Sequence, residues 1–164
     1  MKMTVYLLSK ESVQAALNDF DDLAKLLKKH PKRKEIESKV RARAREILTY
    51  IWSSGLASSL TFYLAKGEEN TVNLIKEVFN RREELIEEFE KLAPEKFAYA
   101  VILYLIFKRL KQLNFISGDP GDPRNCLREL IEMDPFRLMY TSNMLTLYLL
   151  EFKKLCEAAF EPER

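Results

Sequence analysis

Four side chains between positions 34 and 52 have the types and spacing that suit a nucleic-acid backbone. At about 100° per residue, Lys34, Arg41, Arg45 and Trp52 fall within about 40° of one another on a helix. Lys and Arg neutralise phosphates, and an exposed aromatic ring stacks on a base. The alternative is a solvated helix face with Trp52 packed into the core. The pattern therefore indicates either sequence-independent contact with a nucleic acid or an ordinary surface helix.

Charge is unevenly distributed along the chain, although the net charge is only +2. Positions 25–45 hold ten Lys or Arg against two Glu, whereas positions 68–95 hold nine Glu against four Lys or Arg. Opposite charges at two ends of a protomer favour head-to-tail stacking into an open filament, and they equally suit a different, oppositely charged protein. Within the acidic segment, Glu83, Glu87 and Glu88 are the candidates for contact with the basic end of the next copy.

Residues that could perform catalysis or bind a metal are sparse. His30 is the only histidine, which excludes a two-His zinc site and supports no Ser-His-Asp triad. The four glycines do not form a phosphate-binding or dinucleotide-binding loop. The glutamates of residues 83–90 could bind a hard cation, but their spacing defines no coordination geometry. We therefore predict no catalytic residue, no metal and no cofactor, with an enzyme that uses carboxylates alone as the alternative.

The composition predicts an all-α chain. Leu occurs 25 times and Val six times, and only ten of the 164 residues are Gly or Pro. The longest apolar run, residues 97–107, is too short to cross a bilayer, and residues 1–8 lack the pattern of a signal peptide. Cys126 and Cys156 lie far apart in the sequence and predict reduced core thiols. We expect a single cytoplasmic helical domain, residues 1–164, with no membrane contact.

Apolar spacing of three and four residues predicts a bundle of six or seven helices. Ser9 is the expected N-cap of the first helix, and Asn70 or Thr71 is the expected N-cap of the fourth. Asp122 and Asp134 each precede a proline, which predicts an N-cap carboxylate followed by a proline at the first helical position.

Helix ends and the central helix also follow from the pattern. Gly55 is expected to interrupt the chain between the second and third helices, and Gly67 is expected to end the third in a left-handed conformation. The fourth helix is expected to run through Phe89. The fifth, from Pro94, is apolar on nearly all sides and is therefore expected at the centre of the bundle.

One stretch has a more specific pattern, a basic residue on a helix followed by a Gly-Leu turn and a Leu-x-Phe-x-x-x-Lys step. The positions that carry it are Arg45, Ile51, Gly55, Leu56, Leu60, Phe62 and Lys66. Residues 149–154 add a Leu-Leu-x-aromatic step followed by two lysines. This combination resembles the small subunit of the type III-B CRISPR effector, the Cmr complex.

The resemblance implies an all-α, non-catalytic subunit whose copies stack as a filament along the groove where guide and target RNA pair. Its partners would be the other subunits of the effector complex and RNA. Gly55, Leu56, Leu60 and Phe62 would have structural roles. The candidate RNA-binding residues are Lys34, Arg41, Arg45 and Lys66, with Trp52 as a candidate stacking residue. A small subunit of a different CRISPR effector type and a protein–protein adaptor that binds no nucleic acid are the alternatives.

Overall fold

A computed structural model describes residues 2–80 and 85–164, and these residues form eight α-helices. The prediction of an all-α fold is confirmed. In chain order the helices are α1 (Lys2–Leu27), α2 (Arg33–Ser54), α3 (Leu56–Gly67), α4 (Glu69–Phe79), α5 (Ile86–Glu90), α6 (Pro94–Gln112), α7 (Pro123–Ile131) and α8 (Pro135–Ala159). The number exceeds the prediction by one, because the segment expected as one fourth helix contains both α4, which ends at Phe79, and α5. None of the described helices combines the length and apolarity needed to span a bilayer.

The central helix is α6, as its sequence predicts. Every residue from Phe97 to Phe107 is buried. The helix contacts α2, α3, α4, α7 and α8, and α1 packs mainly along α8. Helix α2 therefore packs one face against α6 and α8. The side of α2 that holds Lys34, Arg45 and Trp52 flanks this buried stripe and remains at the surface.

The two aspartate caps and the helix start at Pro94 are confirmed, whereas the N-caps predicted at Ser9 and at Asn70 or Thr71 are wrong. Asp122 accepts a hydrogen bond from the backbone N of Asn125 (3.3 Å), and Asp134 accepts one from the backbone N of Arg137 (3.0 Å). Ser9 lies inside α1, because no Gly or Pro precedes it and Ser is tolerated within a helix. Asn70 and Thr71 lie inside α4, which begins at Glu69.

Gly55 separates α2 from α3 as predicted. Its φ of 82° lies in the region that glycine adopts without a Cβ clash. The prediction for Gly67 is wrong, because this residue is still helical and the left-handed residue is Glu68, with φ 66°. Gly67 is needed for a different reason: a Cβ built on it would lie 2.8 Å from the backbone N of Ala100. Its lack of a side chain lets α3 approach α6.

The turn-rich segment before α7 is held by one carboxylate. Glu129 accepts hydrogen bonds from the backbone N and the hydroxyl of Ser117 (3.0 and 2.7 Å) and from the backbone N of Gly118 (2.9 Å). Burial alone would raise the pKa of Glu129, but these hydrogen bonds outweigh it and hold the pKa below its usual value. The ionised carboxylate therefore stabilises the folded loop.

Because the folded-state pKa of Glu129 is depressed, its stabilisation is present above pH about 4.3 and is lost as pH falls through the folded-state pKa. Glu129→Gln should lower the free energy of unfolding by about 1 kcal/mol at pH 7 and by much less at pH 3. Urea unfolding at pH 7, 5, 4 and 3 measures this difference. The control is Glu132→Gln, which removes an exposed carboxylate nearby. If Glu129→Gln lowered the free energy of unfolding by the same amount at every pH, the charge of Glu129 would have no role.

Candidate nucleic-acid interface

The outward face of α2 presents the row of side chains that the sequence predicts. Lys34, Arg45 and Trp52 are exposed, and Arg41 is half-buried between them. The buried side is centred about 120° round the helix from this row and packs in the core through Ile36, Val40, Ala44, Ile47 and Ile51. At 1.5 Å per residue, the row from position 34 to position 52 is about 27 Å long. We call the six residues at the helical spacing of this row the α2 face: Lys34, Ser38, Arg41, Arg45, Thr49 and Trp52.

Nine of the ten cations of residues 25–45 fall into two groups, and Arg41 is the tenth. Arg33 pairs with Glu37, Lys39 pairs with Glu95 and Glu163, and Arg43 pairs with Glu46 and Glu95. Six others are exposed and form no ion pair with any part of the chain that the structure describes: Lys25, Lys28, Lys29, Lys32, Lys34 and Arg45. Five of these six lie at or beside the turn between α1 and α2. Arg45 lies in the middle of the α2 face.

Arg41 has a structural role that the sequence does not reveal. Its Nη1 donates to the backbone carbonyls of Glu157 (2.9 Å) and Phe160 (2.6 Å), at the C-terminal end of α8. These carbonyls lack partners within their own helix, and a guanidinium there also complements the helix dipole. These two hydrogen bonds therefore stabilise the contact between α2 and the end of α8. Its Nη2 and Nε form no hydrogen bond with the described residues and remain available to an anion.

Trp52 is 71% exposed, so the expectation that it packs into the core is wrong. It occupies the outward side of the last turn of α2, three residues before Gly55. Large aromatic side chains are mostly buried in proteins, because their exposure forfeits hydrophobic stabilisation. An exposed tryptophan two helical turns from a free cation, Arg45, could stack a base of a strand that runs along this side of α2.

Lys66 does not join the α2 face. Its Nζ lies 5.8 Å from the ring centroid of Phe62, and that ring lies 5.2 Å from the ring of Tyr50. Tyr50 projects from α2 about 140° away from Arg45. The structure therefore places Lys66 on a different side of the molecule from the other three predicted cations.

The remaining residues of the motif form the junction of α2 and α3. Leu56 and Leu60 are buried, and Gly55 makes the turn, as their predicted structural roles require. Phe62 is 37% exposed and packs against Tyr50 and Tyr63 at the edge of this junction. The motif thus coincides with a helix–helix corner.

The acidic candidates for subunit contact lie on α5. Glu87 and Glu88 are both exposed. Glu83 lies outside the described residues. The two described glutamates are therefore accessible to another chain.

A cavity of about 360 Å³ lies between the α2 face and the end of the chain. The α2 side is lined by Ser38, Arg41, Ala42, Arg45, Glu46 and Thr49, and the other side by Pro162 and Glu163, so the cavity holds carboxylates as well as cations. Glu163 Oε1 lies 2.6 Å from Lys39 Nζ. The Glu163 hydrogen bond is the main influence that raises the pKa of Lys39, with burial opposing it. The sequence analysis missed Lys39 and Glu163, since no local pattern indicates that residues 124 positions apart will meet.

The histidine and the two cysteines are buried. His30 Nδ1 accepts from the backbone N of Lys32 (3.0 Å), and Nε2 faces the carbonyl of Phe89 (3.2 Å). The ring therefore holds the turn that precedes α2 from a buried position. Both cysteine thiols are buried and unpaired, and burial raises the pKa of Cys126 to about 12. Within residues 2–80 and 85–164, no group of three His, Cys, Asp or Glu is placed to hold a metal ion.

No family model, curated protein or solved structure matches this chain. The functional argument therefore depends on the α2 face, on the charge distribution and on the local sequence resemblance. Of these, the α2 face offers the most specific chemistry, because it combines free cations, a cavity and an exposed indole.

Proposed function

We propose that the protein is a non-catalytic, RNA-binding small subunit of a type III-B CRISPR effector complex. The observation that carries the proposal is the α2 face, where Arg45 and Lys34 are exposed without ion-pair partners in the described structure and Trp52 is 71% exposed. The choice of this particular complex is based on the resemblance of residues 45–66 to the Cmr small subunit. The small subunit of another CRISPR effector type would use the same surface.

The mechanism would be electrostatic and independent of sequence. Arg45, Lys34 and the free nitrogens of Arg41 neutralise phosphates and release counterions, while Trp52 stacks on one base. The α2 face presents no set of side chains arranged to read base edges. Sequence choice would come from pairing between guide and target RNA, and this subunit would hold the backbone of that duplex.

Stacking of copies along the RNA would use the opposite charges of the protomer. The exposed glutamates of α5 would meet the cations of the turn between α1 and α2 of the next copy, in a heterologous contact that forms an open filament. Screening by salt weakens such contacts, so this assembly depends on the RNA and on the larger subunits.

A protein–protein adaptor is the second candidate, and one observation favours it. Phe136, Met139 and Tyr140 on the first turns of α8 are 81%, 58% and 56% exposed. Exposed apolar clusters of this kind mark protein interfaces. An adaptor would use this surface and the basic turn to bind an acidic protein, without any affinity for RNA.

Reversing the charge of Arg45 tests RNA binding. Arg45→Glu should weaken the binding of unrelated single-stranded RNAs about tenfold at 50 mM salt, and the salt dependence should become shallower by about one unit. Trp52→Ala should weaken binding without changing the salt dependence, because stacking releases few ions. Fluorescence anisotropy titrations between 50 and 300 mM salt measure both quantities.

The matched control is Lys91→Glu, which makes the same change in net charge at an exposed position outside the α2 face. Equal losses for Arg45→Glu and Lys91→Glu would show that only total charge matters and would remove the α2 face from the proposal. Binding of acidic proteins without binding of any RNA would favour the adaptor.

A further inference from the structure

The outer side of α8 carries a row of side chains that the core of the protein leaves uncovered. Five residues recur at intervals of three or four, and we call them the α8 stripe: Phe136, Met139, Asn143, Leu147 and Leu150. The first four are exposed, and Leu150 is half-buried. The buried residues of α8 are centred about 180° round the helix from the stripe, so the stripe faces away from the core.

The spacing within the α8 stripe is symmetric about Asn143. Its intervals are three, four, four and three residues, so each apolar side chain has a counterpart at the same distance on the other side of Asn143. When two such helices pack antiparallel about a two-fold axis at this position, Phe136 meets Leu150 of the second copy, and Met139 meets its Leu147. A partner of unrelated sequence would not require this symmetry.

The one polar residue of the stripe stands at its centre. The Asn143 side chain is exposed and forms no hydrogen bond with the residues that the structure describes. On the two-fold axis the two Asn143 amides lie together, and each donates an N–H to the carbonyl oxygen of the other. A single asparagine in an apolar helix seam fixes the register of the pair, because a shift would place it against an apolar side chain.

The charges at the two ends of the stripe are complementary in the same arrangement. Lys154 continues the stripe at its C-terminal end, where it is exposed and contacts Glu151 of the same helix (2.9 Å). Glu132 and Asp134 precede the stripe, and both are exposed without an ion pair to any described residue. Antiparallel packing brings Lys154 of each copy to the acidic end of the other, whereas parallel packing would bring the two lysines together.

The exposed apolar area is sufficient for a dimer of modest affinity. From their exposed fractions, Phe136, Met139, Leu147 and the adjacent Tyr140 present roughly 450 Å² on each copy. This is more than half of the roughly 800 Å² that each partner buries in a standard interface. The polar residues at the centre and at the ends of the stripe supply further area.

We infer that the α8 stripe is the interface of a symmetric antiparallel dimer, whose second member is another copy of this chain. Such an interface uses the same surface on both copies, so the assembly closes at two. It includes no residue of the α2 face and neither of the described glutamates of α5. The dimer is therefore independent of RNA binding and distinct from the charge-dependent stacking proposed above.

Sedimentation velocity of the full chain, at concentrations from about 5 to 300 µM, tests for the dimer. Salt at about 500 mM screens contacts between exposed charges and suppresses charge-dependent stacking. Under these conditions the wild-type chain should form a dimer with a Kd on the order of 10 µM, and no larger species. A chain that remains monomeric at 300 µM would overturn the inference and favour a different protein as the partner of the stripe.

Two substitutions of exposed aromatic residues test whether the stripe is the interface. Phe136→Glu should weaken dimerisation at least about tenfold, because each copy then places a carboxylate against Leu150 of the other. Trp52→Glu is the matched control, since Trp52 is similarly exposed but lies on α2. It should change the Kd by less than about twofold. Equal weakening by the two substitutions would exclude the stripe as the interface.

Disulfide cross-linking tests the antiparallel orientation. Asn143→Cys should form a disulfide between copies under mild oxidation, because the two-fold axis brings the two thiols together. In Lys154→Cys the thiol lies on the same side of α8, but the two copies of it are about 33 Å apart in the antiparallel dimer and adjacent in a parallel one. Both native cysteines are buried, so they should not react. Cross-linking of Lys154→Cys, or none of Asn143→Cys, would contradict the antiparallel dimer.

Discussion

Asp19→Ala is expected to lower the free energy of unfolding by about 2–3 kcal/mol, because a buried hydroxyl loses its acceptor and a partly exposed ammonium loses its counterion. Asp19 is 2% exposed on α1. Its Oδ1 accepts from Lys108 Nζ (2.6 Å) and its Oδ2 accepts from the hydroxyl of Tyr148 (2.6 Å). One carboxylate therefore joins α1, α6 and α8, and its removal leaves a buried hydroxyl and a half-buried ammonium without their acceptor.

Thermal and urea unfolding of the variant measure this effect, with an expected decrease in Tm of roughly 10 °C. Asp21→Ala is the matched control, because Asp21 is exposed on the same helix and forms no contact with the described residues. The loss of stability for Asp19→Asn should lie between those for Asp19→Ala and Asp21→Ala, since the amide retains an acceptor but loses the charge. A loss for Asp19→Ala no larger than that for Asp21→Ala would contradict the role of the cluster.

Gly67→Ala is expected to destabilise the protein by about 1–3 kcal/mol, although alanine is the better helix former. The added Cβ would lie 2.8 Å from the backbone N and 2.9 Å from the Cα of Ala100. Backbone atoms cannot rotate away, so α3 and α6 must separate. The gain of about 1 kcal/mol from helix propensity offsets only part of this cost.

A second substitution tests the cause. Ala100→Gly removes the Cβ that lies 3.1 Å from the added group but leaves the two closer backbone atoms. The double variant should therefore remain at least as unstable as Gly67→Ala in urea unfolding. Full recovery in the double variant would show that the clash involves side chains only. A stability gain for Gly67→Ala itself would contradict the close approach of the two helices.

The core of the fold follows from local patterns. Residues 97–107 are apolar on all sides and can be stable only in the centre of a bundle, and Asp122 and Asp134 stand before prolines in a pairing that begins helices. Glu68 shows the limit of such patterns. Glu68 has a positive φ, a conformation that a glycine adopts more easily. The neighbouring glycine, Gly67, stays helical and is required instead at the close contact with α6.

The sequence likewise predicted one part of the candidate site and could not predict another. Helical spacing alone placed Lys34, Arg45 and Trp52 on one side of α2, because a helix has a fixed period. It could not show that Lys66 lies elsewhere, since the direction of α3 depends on how Gly55 turns the chain. It also could not show that Trp52 is exposed, because an aromatic residue at the border of an apolar stripe suits either environment.

The sequence by itself determined the helical class, the turn at Gly55 and the charge asymmetry, because each depends on composition or on residues a few positions apart. Only the tertiary structure decided which cations remain free. Arg41 binds a carbonyl 119 residues away, Lys39 and Arg43 share Glu95, and Glu163 faces the cavity beside Arg45. The physical reason is that charge pairing depends on distances of a few ångströms, which packing sets between segments remote in the chain.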